Sequence, residues 1–361
     1  RTRAKIGVFI LGYASMQVWI RRFALLLLPL GFLAVMVAAP LLSLAFYDGE
    51  GAWAEVVADD YMRLRLGWTV AQAVLTCVLV TALGVPAAWV LARMDFAGRR
   101  TVLRLLMLPF VMPTLVAGMG VLALFGAHGM LAAGWQDTPW LLIYGNVFFN
   151  LPVLVRSAYQ GFVRVPQARL LSAQSLGADA WRRFVWVEWP VVRAWVAGGA
   201  CLVFLYCFSG FGLALLLGGE RFATVEVEIY RLVAYELDMA RASVLVWLVL
   251  AVTAAAGGLY AYWSRRVAVD KSVSPLPPRA PIWAWEKWLT ATVLAMLAVC
   301  CLLPLAAVWL KAVSAGSSWA VLLEAQTWAA VWNTIRFSAA AVAAATVLGV
   351  LYAAAARQMA W

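Results

Sequence analysis

Charge is what this sequence has least of. Only 12% of its 361 residues are Asp, Glu, Lys or Arg, while 65% are hydrophobic. A soluble domain carries about a quarter charged residues, so a soluble globular fold is excluded. Disorder is excluded as well, because apolar residues dominate. Five cysteines are far too few for a disulfide scaffold. None of them forms a Cys-x-x-Cys pair, so neither zinc nor redox chemistry is suggested. The single histidine, His128, cannot build the His, Asp or Ser cluster that a membrane-embedded enzyme needs. There is no GxxxxGK[ST] loop, no HExxH and no GxSxG, so no nucleotide site, metal site or catalytic triad is argued. No catalytic residue, metal or cofactor is expected.

What the chain has instead is long apolar runs. Eight candidate spans fall at about 23–46, 66–92, 102–126, 139–158, 191–217, 243–263, 287–311 and 332–356. Each has roughly the 20 residues that a ~30 Å hydrocarbon core requires. The fourth is the least regular, since Asn146, Asn150 and Pro152 interrupt it. Many of the 20 tryptophans lie at the ends of runs, as in an aromatic belt at the headgroups. The expected class is therefore an all-α polytopic membrane protein.

The net charge of +11 does not signal nucleic acid, because the basic residues sit in short clusters between apolar runs rather than on one face. They set orientation instead. With the N-terminus inside, 21 of the 28 Lys and Arg fall on inner segments, and 12 of the 17 acids fall outside. Residues 1–22 then read as a cytoplasmic or interfacial lead-in. Six spans over 23–263 precede an inner, Pro-rich linker at 264–286.

Shifted by 265 positions, the chain matches itself: Thr69 meets Thr334, Thr81 meets Thr346, and Leu83-Gly84-Val85 meets Leu348-Gly349-Val350. One position off that shift, Pro40-Leu41 meets Pro304-Leu305. Such internal symmetry is common in transporters. It makes 287–361 the first two spans of a second copy, which by the same shift would reach roughly residue 530.

The longest inner loop, 162–190, reads as two short amphipathic helices. The first runs from about Pro166 to Leu176, Gly177 suits the left-handed position after a helix end, and Asp179 suits the next N-cap. Pro190 opens the following span. This loop resembles the EAA signature of ABC importer permeases: Gly177, Val187, Trp189 and Pro190 stand at its spacing, and Ala173 at its second Ala. Leu171 replaces the opening acid and Ser172 the first Ala.

The likeness extends to Asn146–Arg156, Phe184–Pro190, Cys207–Gly219 and Thr224–Arg231 with Asp238–Ala242, which resemble the iron/thiamine group of binding-protein-dependent importers. It implies a type I ABC importer permease fold, with one six-helix unit and the first two helices of a second. The chain would be a multi-pass subunit of the bacterial inner membrane with a cytoplasmic N-terminus. Its loop, through Ala173, Gly177, Ala178, Asp179, Arg182, Val187, Trp189 and Pro190, would couple to a cytoplasmic ABC ATPase dimer. A periplasmic binding protein would deliver thiamine or its phosphates, with ferric iron as the alternative cargo.

Polar groups in spans are site candidates because unsatisfied ones are costly in hydrocarbon. Asn146, Asn150 and Ser209 are expected along a translocation path, with Phe208 and Phe211 placed to stack on an aromatic cation. Ser209-Gly210-Phe211-Gly212 reads as mid-span, where small residues also allow close helix approach. Glu226, Glu228, Glu236 and Asp238, on an outer segment with apolar residues at helical spacing, are expected to meet the binding protein or simply to cap the bundle. A secondary transporter, the remote alternative, would need an ion-coupling acid inside a span, and every Asp and Glu falls in or near a loop.

Overall fold

Prolines punctuate the helices of this chain, and their positions explain most of its departures from straight spans. In the computed structural model, residues 27, 29–46, 51–131, 134–136, 138–266 and 274–359 are described. The expected lead-in at 1–22 lies outside them. Two compact units are distinguished by their internal contacts. The larger spans Gly49–Ser314, and the smaller holds the described parts of Arg1–Asp48 and Ala315–Trp361.

The smaller unit contains α1 (Pro29–Leu44), a 3-10 helix (Gly316–Leu323) and α13 (Ala325–Met359). Thr327 Oγ1 and Trp328 Nε1 donate to the carbonyls of Val321 and Leu322 at 2.8 Å, tying α13 to the 3-10 turn.

The larger unit contains α2 (Ala52–Ala58), α3 (Asp60–Arg93), α4 (Arg99–Val111), α5 (Thr114–Phe125), α6 (Pro139–Val163), α7 (Gln167–Ser175), α8 (Ala180–Phe208), α9 (Phe211–Leu217), α10 (Val225–Arg231), α11 (Met239–Arg265) and α12 (Ala284–Val313). Counting α4 with α5, seven helices or helix pairs across the two units are long and apolar enough to cross a membrane. The chain is thus a multi-pass, all-helical membrane protein. Among the described residues the only extended pairings are isolated bridges, Met94 with Arg279 and Pro166 with Pro275.

The core lies where α3, α6, α8 and α11 meet, around Val80, Leu91, Leu151, Leu154, Val203 and Leu245, all fully or almost fully buried. A second cluster joins α5, α6 and α9 through Val121, Leu142, Phe148 and Leu217. The helix α12 crosses α5 so closely that a Cβ on Gly120 would stand 2.7 Å from the Pro304 carbonyl oxygen, the kind of approach that small residues permit.

Three expectations are corrected. The third span is not straight: α4 and α5 meet at 103°. Pro113 cannot donate, and it holds Met112 extended (ψ 147°), as a residue before proline prefers. The fourth span is not interrupted at all. It is one helix with Pro152 inside, and the most enclosed of the spans. The fifth ends early: α8 stops at Phe208 and α9 starts at Phe211, so Ser209 and Gly210 form a break rather than mid-span.

A π-turn stands just before each of three prolines: Ala34–Ala38 before Pro40, Phe184–Glu188 before Pro190, and Ala298–Leu302 before Pro304. A proline ring collides with the carbonyl four residues back and leaves it without a donor. Widening the preceding turn by one residue relieves that collision. The turns before Pro40 and Pro304 stand 264 positions apart, the offset at which the expected repeat pairs those prolines.

Candidate functional site: the 162–190 loop and the polar interior

The loop folds as its residues dictate. Pro166 caps α7 without a donor to waste, and Leu170 buries its side chain. The helix unwinds at Gly177, whose φ of +77° is one that L side chains rarely adopt. There the N–H of Ala178 donates to Ala173 O (3.0 Å) and that of Gly177 to Gln174 O (2.9 Å). Asp179 then caps α8, its Oδ1 accepting from Arg182 N at 2.7 Å. The second helix is not a separate short one, which corrects the expectation of two. It runs on through the π-turn at Phe184–Glu188 into the span, with Pro190 in the first turn beyond it. Val187 packs against the core, and Trp189 lies 6.1 Å from the ring of Phe184. Leu176, Trp181 and Trp186 stand exposed, Trp181 at 71%. This is an apolar, basic-edged platform on a short helix and a turn that lead without a break into a long helix.

Beneath the platform lies a pair not singled out from the sequence. Arg93 Nε donates to Glu188 Oε1 at 2.8 Å, and Trp89 Nε1 donates to Glu188 Oε2 at 2.9 Å. Both charged side chains are buried. Glu188 lies within the helix α8 rather than in a loop, and its charge is committed to Arg93. Removing one partner would strand a buried charge, at about 3–5 kcal/mol. Arg93 looked like an ordinary basic residue at a span end, and nothing in its spacing marked it.

Deeper in the bundle Asn146 and Asn150 join a network with Gln72. Asn146 Nδ2 donates to Gln72 Oε1 (2.8 Å), and Gln72 Nε2 donates to the carbonyls of Cys207 (2.9 Å) and Thr69 (3.1 Å). Asn150 Nδ2 donates to Asn146 O (3.0 Å) and reaches Cys207 Sγ (3.3 Å). Asn150 Nδ2 thus bonds within this network rather than to the Phe148 carbonyl that Pro152 leaves without a donor. Gln72 was overlooked, though the rule that marked the asparagines, a polar group inside an apolar run, applies to it equally.

The five candidate path residues are not brought together. Asn146, Asn150 and Phe208 are buried among α3, α6 and α8. Ser209 is exposed at the break, its hydroxyl donating to Leu205 O, and Phe211 is 37% exposed. Phe211 stacks edge-on against Tyr230 (5.3 Å), which meets Tyr235 (5.9 Å). On the other side of the break Tyr206 is exposed and touches Phe110.

At the opposite end of the bundle the four acids have separate duties. Glu228 is only 2% exposed and turns inward, accepting from Tyr61 Oη (3.0 Å) and Arg231 Nη2 (2.8 Å). Glu236 pairs with Arg231 at 3.2 Å. Asp238 caps α11 through Arg241 N. Glu226 is half-buried, and burial pushes its carboxyl above the ordinary carboxylate range.

The profile of the family described as binding-protein-dependent transport system inner membrane component matches residues 81–269, more than half the chain. The chain belongs to that family. It is 32% identical over 329 residues to the thiamine transport system permease protein ThiP of Salmonella typhimurium, covering 88% of this chain and 59% of that one. With ThiP of Brucella abortus it shares 35% over 239 residues, covering 63% of this chain and 44% of the relative. The chain therefore spans about three fifths of the first relative and less than half of the second. Among solved structures, a bacterial ABC transporter involved in the import of the acidic polysaccharide alginate has a chain with TM-score 0.60 at 14% identity, covering 71% of this chain and 98% of that one. The fold is that of a type I ABC importer permease, as befits a family of transport-system membrane components.

Proposed function

We propose that this chain forms most of a permease that moves thiamine, or its phosphates, inward through a bacterial inner membrane. The likeness to thiamine permeases over 88% of the chain carries this reading, and the relatives' names favour thiamine over ferric iron. The Arg93 end faces the cytoplasm, as the Lys and Arg distribution argues, and the N-terminus lies on that side. The platform at 162–190 docks a separate ABC ATPase dimer, and the Tyr61 end meets a periplasmic binding protein.

Residues 23–263 form the first permease unit, 264–286 the linker, and 287–361 the start of a second. The matching π-turns before Pro40 and Pro304 support that duplication. The rigid joint between α7 and α8 is suited to pass ATPase closure into a span, which an unstructured loop cannot do. The exposed residues at the break, Tyr206, Ser209 and Phe211, suit a path for an aromatic cation better than the buried Phe208 does.

A pull-down of the ATPase by the full-length protein and by Gly177→Asp tests the docking role. Loss of the ATPase and of uptake in the variant is expected. An unchanged partner with unchanged uptake would sink it.

A further inference from the structure

Between the two repeats the Pro-rich linker does not hang free. Residues 274–283 lie along the Arg93 end of the larger unit as a strap. At one end Gln167 N donates to Ser274 O at 3.1 Å, and Pro166 bridges to Pro275, so the strap starts on the first turn of α7. In its middle Arg279 N donates to Arg93 O (3.0 Å) and Asp95 N donates to Arg279 O (2.8 Å). Then the Arg279 guanidinium forks onto both oxygens of Glu286, at 2.6 and 3.1 Å. Glu286 is buried and also accepts from the N–H groups of Ile282 (2.9 Å) and Trp283 (3.2 Å), fixing the start of α12. Stacking of Trp285 on Trp89, with centroids 6.3 Å apart, adds an aromatic contact to the same seam.

Arg93 is the hub. Its backbone carbonyl holds the strap. Its side chain holds Glu188, at the base of the loop, and donates from Nη2 to Phe162 O (3.2 Å) at the end of α6. One residue therefore touches α6, α8 and the strap, and itself ends α3. A planar fork with several donors in fixed directions suits that duty, where a lysine ammonium would not.

We propose that Arg93 is a positioning residue for coupling, and that the Arg93–Glu188 pair and the Arg279–Glu286 strap form one clasp. The clasp makes the 162–190 loop, the end of α3 and the start of α12 move as a body. Displacement of the first coupling loop then reaches the first helix of the second repeat directly. This rests on the permease reading above, since only that reading gives the loop a displacement to pass on. Bridges of backbone and buried charge are suited to it because packed, fully bonded elements shift between discrete arrangements rather than bend.

The test uses the full-length protein with its ATPase and binding protein in proteoliposomes, measuring ATP hydrolysed per thiamine imported. Absence of ATP-driven uptake by the wild type would count against the permease reading, not the clasp. Given wild-type coupling, Arg93→Gln is expected to raise the ratio by about fivefold or more, the lower end of ordinary inter-site coupling. The exchange Arg93→Glu with Glu188→Arg is expected to recover part of it. Glu286→Gln, nearly isosteric and placed at the strap's far end, is expected to raise the ratio too. If Arg93→Gln fails to reach the membrane, Glu286→Gln decides alone. An unchanged ratio in Glu286→Gln, or in Arg93→Gln at normal abundance, overturns the proposal.

Discussion

Asn146 donates through Nδ2 to Gln72 Oε1 over 2.8 Å, joining α3 to α6 inside the bundle. Neither side chain has water to turn to, since both are buried. Replacing one of them leaves the other's polar group unsatisfied, which costs about 1–3 kcal/mol in a protein interior. Inside membranes the measured worth of such bonds averages nearer 0.6 kcal/mol, because the unfolded reference also finds partners. The expectation is a loss of about 1 kcal/mol for Asn146→Leu or Gln72→Leu, with the double variant losing less than the two together. Reversible unfolding in mixed detergent micelles measures it, and strict additivity would show that the pair does not interact.

Where α12 crosses α5, the neighbour of Gly120 is backbone. The Pro304 oxygen cannot rotate away from an added methyl at 2.7 Å, nor can its carbonyl carbon at 3.2 Å. Gly120→Ala is expected to destabilise the larger unit by about 1–3 kcal/mol, as overpacking does. Gly67→Ala serves as control, because nothing stands within 4 Å of its Cβ position. Thermal aggregation of the solubilised protein should separate the two. Equal midpoints would refute the close crossing.

Gly177 has open space around it, so only its φ of +77° resists a side chain. A left-handed residue with a Cβ costs roughly 1–2 kcal/mol, least for Asn. Uptake is therefore expected to fall in the order Gly177, then Gly177→Asn, then Gly177→Val. A Val variant as active as Asn would show that the turn is not needed in that form.

Glu226 yields a pH prediction. Its carboxyl is raised by burial, so the folded protein binds that proton more tightly than the unfolded chain does. Such a group favours folding below the unfolded value of about 4.3, and the advantage fades as pH rises through the raised folded value. Glu226→Gln removes the cost of the buried charge. It is expected to raise the melting temperature at pH 7 and to change it little at pH 4. An equal rise at both pH values would rule out ionisation as the cause.

Seven of the eight spans were legible, because length and hydropathy alone decide what crosses a bilayer; the first, expected at 23–46, is described only over Pro29–Leu44, a shorter apolar helix. Their breaks were legible only in part. Pro113 does break a span, while Pro152 does not, since α6 is enclosed by neighbours that hold it in register. The caps at Gly177 and Asp179 were readable because they depend on single residues and local geometry. Pairings such as Gln72 with Asn146, or Arg93 with Glu188, were not. They depend on which helix faces which, and a run apolar on all sides carries no periodicity to announce it. Glu228 misled for the same reason: an acid on a loop looks outward until Tyr61 and Arg231 are placed beside it.

ATP-driven import of thiamine is the activity proposed for this subunit. Proteoliposomes holding the full-length protein, its ATPase and its binding protein, given labelled thiamine outside, measure it most directly. Accumulation that requires both ATP and the binding protein is expected, with no accumulation of labelled ferric iron under the same conditions. Thiamine uptake independent of ATP, or accumulation of iron and not thiamine, would contradict it.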